Sequence, residues 1–285
     1  MPELPEVEIV RQSLNRQVKN RKIISIQVNN RNLRLKVPNN FEQIFKNAVI
    51  KKIQRKSKYL ILVFDNHLFC VIHLGMSGTL HFIGLKKKTT NLSFYGSQSL
   101  PKKHNHIIFR FKNFKLIYND PRRFGFFKIL KNKKDYLKFF TRIGPEAISK
   151  DFNKKYLDKI LKNRTKNIKN LLLDQKLVSG LGNIYVNEIL FQAKINPFRK
   201  SFLINLDENK RIVKYSKIIL KKAIDFGGSS IRDFKGITGK SGNFQSEFKV
   251  YDRTKKRCSR NNCSGQISRK IISNRSTFIC SVCQK

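Results

Sequence analysis

The first eight residues, Met1-Pro2-Glu3-Leu4-Pro5-Glu6-Val7-Glu8, place an amine, a carboxylic acid and a helix start side by side. Met1 precedes a small residue, and its removal would expose Pro2 as a free secondary amine. An α-amino group titrates near 7.7 to 8.0, so a useful fraction is an uncharged nucleophile at neutral pH; a lysine amine needs its pKa lowered first. A secondary amine joined to the anomeric carbon of a sugar forms a positively charged iminium. That electron sink lets the C2 proton leave and a phosphate be eliminated, and Glu3 can shuttle protons. Pro-Glu also suits the first turn of a helix, where proline fits and acids face the positive end.

A second constellation lies at the other end. Cys258, Cys263, Cys280 and Cys283 form two close pairs, and Cys70 is the only other cysteine. Four thiolates in two pairs can meet one tetrahedral zinc, whereas two disulfides would need an oxidising compartment that nothing in the chain advertises. All five histidines precede residue 107, so none competes locally as a ligand. The first pair, C-x4-C, is wider than the usual C-x2-C. A hairpin of this size has no core of its own, so the metal supplies most of its folding energy.

Elements must position both ends. Val7, Val10, Leu14 and Val18 have the spacing of an amphipathic helix. Short alternating runs follow: Ile24, Ile26, Val28; Leu33, Leu35, Val37; Leu60, Leu62, Phe64; Ile107, Phe109, Phe111; and Phe124 to Leu130. With turn signals such as Asp65-Asn66 these read as a β-sandwich. Beyond it, residues 152 to 161, 168 to 173 and 183 to 195 read as helices. Asn205 and Glu208 form a capping-box pattern for another reaching Ile224, with Gly227 as its stop. The expected fold is α+β: a sandwich domain over 1–131, a helical domain over 132–240, and a cysteine finger over 241–285, with a short hinge around 131 to 150.

The charge points to the partner. Lys and Arg number 61 against 18 Asp and Glu, a formal net charge of +43. Such a chain seeks a polyanion, and its binding weakens steeply with salt. Part of the excess reflects a chain rich in Lys, Asn and Ile, as an AT-rich genome produces. No run of about 18 apolar residues and no signal-peptide pattern occurs, so a membrane is not expected and a cytoplasmic location is.

The opening MPELPEVE resembles the N-terminus of the formamidopyrimidine-DNA glycosylase family, and further motifs follow in family order over nearly the whole chain. The resemblance implies a bifunctional enzyme that excises oxidised purines from duplex DNA and nicks the strand, working as a monomer with one structural zinc on Cys258, Cys263, Cys280 and Cys283. It makes Pro2 the Schiff-base nucleophile and Glu3 the acid. Arg55-Lys56-Ser57-Lys58-Tyr59 resembles the strand whose lysine, here Lys58, approaches the target sugar and phosphate. His73-Leu-Gly-Met76-Ser-Gly78 and Asp120-Pro-Arg122-Arg-Phe124-Gly125 resemble the two loops that enter the duplex, which gives Met76, Arg122 and Phe124 as wedge. His104, Arg164 and Lys169 match DNA contacts. The stretch from Leu177 through Gly180 and Gly182 to Asn183 and Tyr185 resembles the turn of a helix-two-turn-helix motif that holds a phosphate. Arg275, in the finger, is implied to bind the phosphate beside the lesion and assist the last elimination. Gly227 to Phe234 and the stretch after it, near 229–243, resemble the loop that closes over 8-oxoguanine. Two other readings stand beside this one: an endonuclease VIII-like enzyme for oxidised pyrimidines, against which Leu4 speaks, and a non-enzymatic zinc-finger nucleic-acid-binding protein.

Overall fold

The computed structural model describes residues 1–84, 89–91, 100–229 and 243–285, with the side chains of 89–91 left aside. Most of the expected capping loop therefore lies outside the described residues. The chain divides into two compact units, Met1–Thr141 with Phe226–Asn243, and Arg142–Asp225 with Phe244–Lys285.

The first unit opens with α1 (Leu4–Val18), whose residues Val7, Val10, Leu14 and Val18 are all buried, as their spacing requires. Two antiparallel sheets follow. One has the order β1 (Ser25–Val28), β7 (Asn105–Arg110), β8 (Phe114–Asn119), β5 (Thr79–Gly84), β6 (Thr89–Asn91); the other runs β2 (Ile50–Lys56), β3 (Tyr59–Phe64), β4 (Phe69–His73), β9 (Phe126–Leu130). Leu60, Leu62 and Ile72 of one sheet and Ile107, Phe109, Leu116 and Tyr118 of the other share a single apolar core with α1 and the short α2 (Phe41–Phe45). The expected sandwich is present. The run Leu33 to Val37 is not a strand: the N–H groups of both residues return to the Arg31 carbonyl, so the chain turns on itself, although both side chains stay buried.

The second unit contains α4 (Lys154–Leu161), α5 (Ile168–Leu173), α6 (Asn183–Gln192) and α7 (Leu206–Asp225), then the hairpin β10 (Ile267–Ile272) and β11 (Arg275–Cys280). The capping box of α7 forms as expected: Asn205 N–H donates to Glu208 Oε2 and Glu208 N–H to Asn205 Oδ1, both at 2.9 Å.

The units are cut differently from the expected domains. Where a bare hinge was expected there is α3 (Lys133–Phe140), which belongs to the first unit because Phe139 and Phe140 pack edge-on against Tyr59 and Lys56 lies over the Phe140 ring. Nor does the finger separate from the helices. Phe191 of α6 shares its small core with Val250, Ile267, Phe278 and the cysteines.

Candidate functional site

Glu3 is the N-cap of α1, and a reciprocal capping box with Glu6 sets its backbone. Glu3 N–H donates to Glu6 Oε2 at 2.9 Å, while Glu6 Oε1 accepts both the N–H and the hydroxyl of Ser229, each at 2.9 Å. Glu3 is only 3% exposed, and Pro2 and Glu6 are buried with it. The free amine here belongs to Met1 and stands in for that of Pro2 once Met1 is removed. Burial lowers its pKa from the ordinary 8.0; Lys58 and Arg122 push the same way, against the opposing pull of Glu3 and Glu6. The uncharged, nucleophilic form of the amine is therefore favoured.

Lys58 reaches this neighbourhood through a tight turn. Lys56 pairs with Tyr59, which leaves Ser57 and Lys58 as a two-residue loop, and Ser57 adopts φ +55°. Arg55 braces the turn by donating from Nη1 to the Ser57 carbonyl at 3.0 Å and from Nε to Glu8 Oε2 of α1 at 2.9 Å. Burial works against the Glu8 carboxylate, but Arg11 and Arg55 overcome it and lower its pKa. Sequence reasoning missed this Glu8–Arg55 strut, which ties the lysine turn to the helix that carries the terminus. Its only signal was a further carboxylate in the opening helix, five positions beyond Glu3.

Met76 lies between β4 and β5, Arg122 and Phe124 between β8 and β9. Met76 and Phe124 are each 44% exposed, and the Arg122 guanidinium lies 4.6 Å from the centre of the Phe124 ring. His104 is half-buried at the end of a 3-10 turn, and its carbonyl accepts from Asp120 N–H. His73 accepts from Gly75 N–H through Nδ1 at 3.0 Å, and burial, then Lys58 and Arg34, depress its pKa to about 4.

In the second unit Asn183 is the first residue of α6, at the positive end of the helix dipole, where an anion is favoured. Its side-chain Nδ2 donates to the Ser276 carbonyl at 3.0 Å. Arg275 is exposed beside a hairpin turn in which Ser273 and Asn274 have φ +47° and +59°, the pair that a type I′ turn demands. Arg164 is exposed just after α4. Lys169 departs from the expected phosphate contact. It is fully buried, and its ammonium donates to the Ser276 carbonyl and to Thr277 Oγ1, both at 2.8 Å. Its charge is turned inward to the finger hairpin.

The four finger thiols lie within 4.8 Å of one another, with Cys258 and Cys283 3.9 Å apart and Cys263 and Cys280 3.7 Å apart. A tetrahedron of zinc–sulfur bonds of about 2.3 Å has edges of about 3.8 Å, so the set fits such an ion. Glu188 of α6 anchors the root of the finger, accepting backbone N–H groups from Lys249, Val250 and Tyr251 at 2.8 to 3.1 Å. Asn187 accepts from Phe278 N–H at 2.9 Å.

Comparison with known proteins gives a consistent answer. Residues 1–127 match the formamidopyrimidine-DNA glycosylase N-terminal domain, and residues 143–235 match the H2TH domain of the same family. A formamidopyrimidine-DNA glycosylase of Wolbachia pipientis subsp. Culex pipiens is 39% identical over 285 residues, covering all of both chains. The Lactococcus lactis Fpg in complex with DNA containing an abasic site superposes with TM-score 0.87 at 35% identity, and a mutant of that protein with Fapy-dG DNA gives 0.89 at 34%; each comparison covers both chains fully.

Proposed function

Since the chain belongs to the formamidopyrimidine-DNA glycosylase family and is a DNA-repair glycosylase, we propose that it excises oxidised purines such as 8-oxoguanine and formamidopyrimidines from duplex DNA and then cleaves the strand as an AP lyase. The observation that carries this reading is the cluster at the amino terminus, where Pro2 and Glu3 are buried beside Glu6 and the terminal amine, near Lys58, has its pKa lowered.

Pro2 nitrogen, freed of Met1, attacks C1′ of the damaged nucleotide while the C1′–N bond to the base breaks, and the base departs with a proton. Glu3 moves the proton that opens the sugar ring. The resulting iminium draws electrons from C2′ as its proton leaves, and the bond from C3′ to the phosphate oxygen breaks; loss of the second phosphate follows. Lys58 is assigned to the sugar and its phosphate, and Arg275 to the phosphate released last. Met76, Arg122 and Phe124 fill the gap left by the everted nucleotide. His104, Arg164 and the N-terminus of α6 at Asn183 take backbone phosphates, while Lys169 holds the Arg275 hairpin in place. Zinc is the ion whose donor preferences match the four cysteines, and its role there is structural. The bacterial relatives and the DNA in the solved complexes support a cytoplasmic, DNA-bound enzyme, and it is assigned as a monomer.

Borohydride reduces the iminium, so the native protein should become covalently attached to an 8-oxoguanine duplex. A variant carrying an uncleavable N-terminal extension should not. Equal trapping of both would remove Pro2 from the nucleophile's role, and a preference for thymine glycol over 8-oxoguanine would reassign the substrate to oxidised pyrimidines.

A further inference from the structure

The carboxylate of Asp120 is wholly buried in the first unit and belongs to none of the roles assigned above. Four donors converge on it. Oδ1 accepts from Ser77 Oγ at 2.5 Å and Arg122 N–H at 3.3 Å; Oδ2 accepts from Tyr118 Oη at 2.9 Å and Gly125 N–H at 2.9 Å. Ser77 follows Met76 directly, while Arg122 and Gly125 bracket Phe124. One side chain thus fastens two loops that lie 43 positions apart at the Ser77–Asp120 link. Its main chain is held as firmly: Asp120 N–H donates to the His104 carbonyl, and its carbonyl accepts from Arg123 N–H and from His106 Nε2 at 2.8 Å.

The backbones of the loops also touch. Gly75 has φ +66°, and a Cβ there would lie 2.5 Å from Gly125 N, so only glycine permits the approach. Tyr118 remains a donor at any ordinary pH, since burial and the adjacent Asp120 raise its pKa well above the usual 10.0. Below this root both carboxylate oxygens and both main-chain polar groups of Asp120 are paired. Above it the tips, Met76, Arg122 and Phe124, are exposed.

We propose that Asp120 is a positioning residue for base eversion, locking the Met76 loop to the Arg122–Phe124 loop so that the three tips enter the duplex as one body. The inference rests on the wedge reading given above. Eversion must offset the loss of stacking, and a loop that had to be ordered during insertion would add its own entropy to that barrier. A shared buried carboxylate removes the second cost before DNA arrives. It also makes the tips interdependent, because a displaced loop takes its partner with it.

The test compares native protein with Ser77→Ala, which removes the hydroxyl that joins Asp120 and Arg122 N–H across the loops, and Asp120→Asn, which leaves Gly125 N–H without its charged acceptor. Three readouts are taken: single-turnover excision from an 8-oxoguanine duplex, fluorescence of a 2-aminopurine beside the lesion, and borohydride trapping on a single-stranded abasic oligonucleotide, which needs no wedge. Both variants should slow unstacking and duplex excision by about tenfold or more, as loss of a hydrogen bond to a buried charge does, with trapping on the single strand unchanged. In the native protein the effects of Met76→Ala and Phe124→Ala on unstacking should fail to multiply; in the Ser77→Ala background they should multiply. Equal losses on single strand and duplex would make Asp120 a general support of the fold and overturn the proposal, as would native-like unstacking in Ser77→Ala while Met76→Ala and Phe124→Ala are slow. Should neither tip variant slow unstacking, the wedge reading itself falls. If Asp120→Asn does not fold, Ser77→Ala decides alone.

Discussion

Arg122 and Arg275 are both exposed guanidinium groups assigned to DNA, and the two units hold them by opposite means. Arg122 stands on a loop rooted in a buried carboxylate above a large two-sheet core. Arg275 stands on a two-stranded hairpin whose apolar cluster contains few side chains besides its cysteines. The hairpin is held instead by polar struts from the helices, Lys169 and Asn183 to Ser276, Asn187 to Phe278, and Glu188 to the chain at its root. Where a sheet can bury enough apolar surface, the site inherits its rigidity from the core. Where it cannot, rigidity is assembled from hydrogen bonds and a metal, and each part becomes separately removable.

The largest expected effect follows from that separability. Chelation of the metal, or Cys280→Ser, should unfold the finger and abolish binding to lesion-bearing duplex, while the near-ultraviolet dichroism of the first unit's packed aromatic rings persists. Elemental analysis should find one zinc per chain. Normal DNA affinity in Cys280→Ser would mean that the helical struts alone hold the hairpin.

Acid should act on the other unit. His73 and His81 both have pKa values depressed to about 4 from the ordinary 6.5, in each case first by burial. The unfolded chain takes up these protons first as pH falls, so the stability that the two neutral rings contribute is fully present above 6.5 and is lost as pH drops through the window to about 4. His81 is tied to Thr79 Oγ1 at 2.8 Å and stands apart from the proposed chemistry, so His81→Gln should flatten part of the slope. Melting temperatures at pH 7, 5.5 and 4.5 check this, and parallel curves for native and variant would exclude His81 as a source.

A smaller loss is expected from Lys169→Met, which keeps the buried stem and removes its hydrogen bonds to Ser276 and Thr277. Leaving Thr277 Oγ1 without its donor and weakening the hold on the Ser276 carbonyl should cost about 1 to 3 kcal/mol of stability. DNA affinity should fall through the displaced Arg275, and the fall should persist at high salt, where a direct phosphate contact would already be screened. A loss that vanished with salt would restore Lys169 to the phosphate role expected from sequence.

Lys169 illustrates what can be read from a sequence and what cannot. Motifs preserve residue identity and order, so the terminal amine, the lysine turn, the two loops and the cysteine cluster were all locatable, and helical and strand periodicities placed most elements. A motif does not say which way a side chain faces. In a chain with 61 basic residues a lysine reads as solvated or phosphate-bound, yet this one is enclosed by the hairpin that follows it by more than a hundred positions. The Glu8–Arg55 strut and the Asp120 junction were invisible for the same reason, since each joins residues that only the fold brings together. Leu33 to Val37 shows the converse: alternation marked Leu33 and Val37 as buried, but Leu35 between them is exposed and no neighbouring strand pairs with the run. Helix α3 escaped notice because its eight residues carry only one fully buried side chain, Phe140.

The subtlest outcome concerns the base left behind when the lesion everts. Oxidised guanine opposite cytosine is safely removed, but opposite adenine its removal fixes a mutation, so the residue that fills the gap should also inspect the partner. Arg122 suits the task because its guanidinium offers only donors, and the exposed pairing edge of cytosine presents the O2 and N3 acceptors. Adenine turns an N6 donor toward the same fork, a mismatch worth about 1 to 3 kcal/mol. The guanidinium lies over the Phe124 ring, 4.6 Å from its centre, and Met76 is assigned to filling the stack without reading the base. Arg122→Ala should therefore slow excision opposite cytosine and narrow the cytosine-over-adenine ratio by about tenfold, whereas Met76→Ala should slow both duplexes with little change in the ratio. Single-turnover rates on the two duplexes distinguish these outcomes. An unchanged ratio in the Arg122 variant would leave this arginine a phosphate contact, and the first unit would then hold its arginine rigidly for affinity alone.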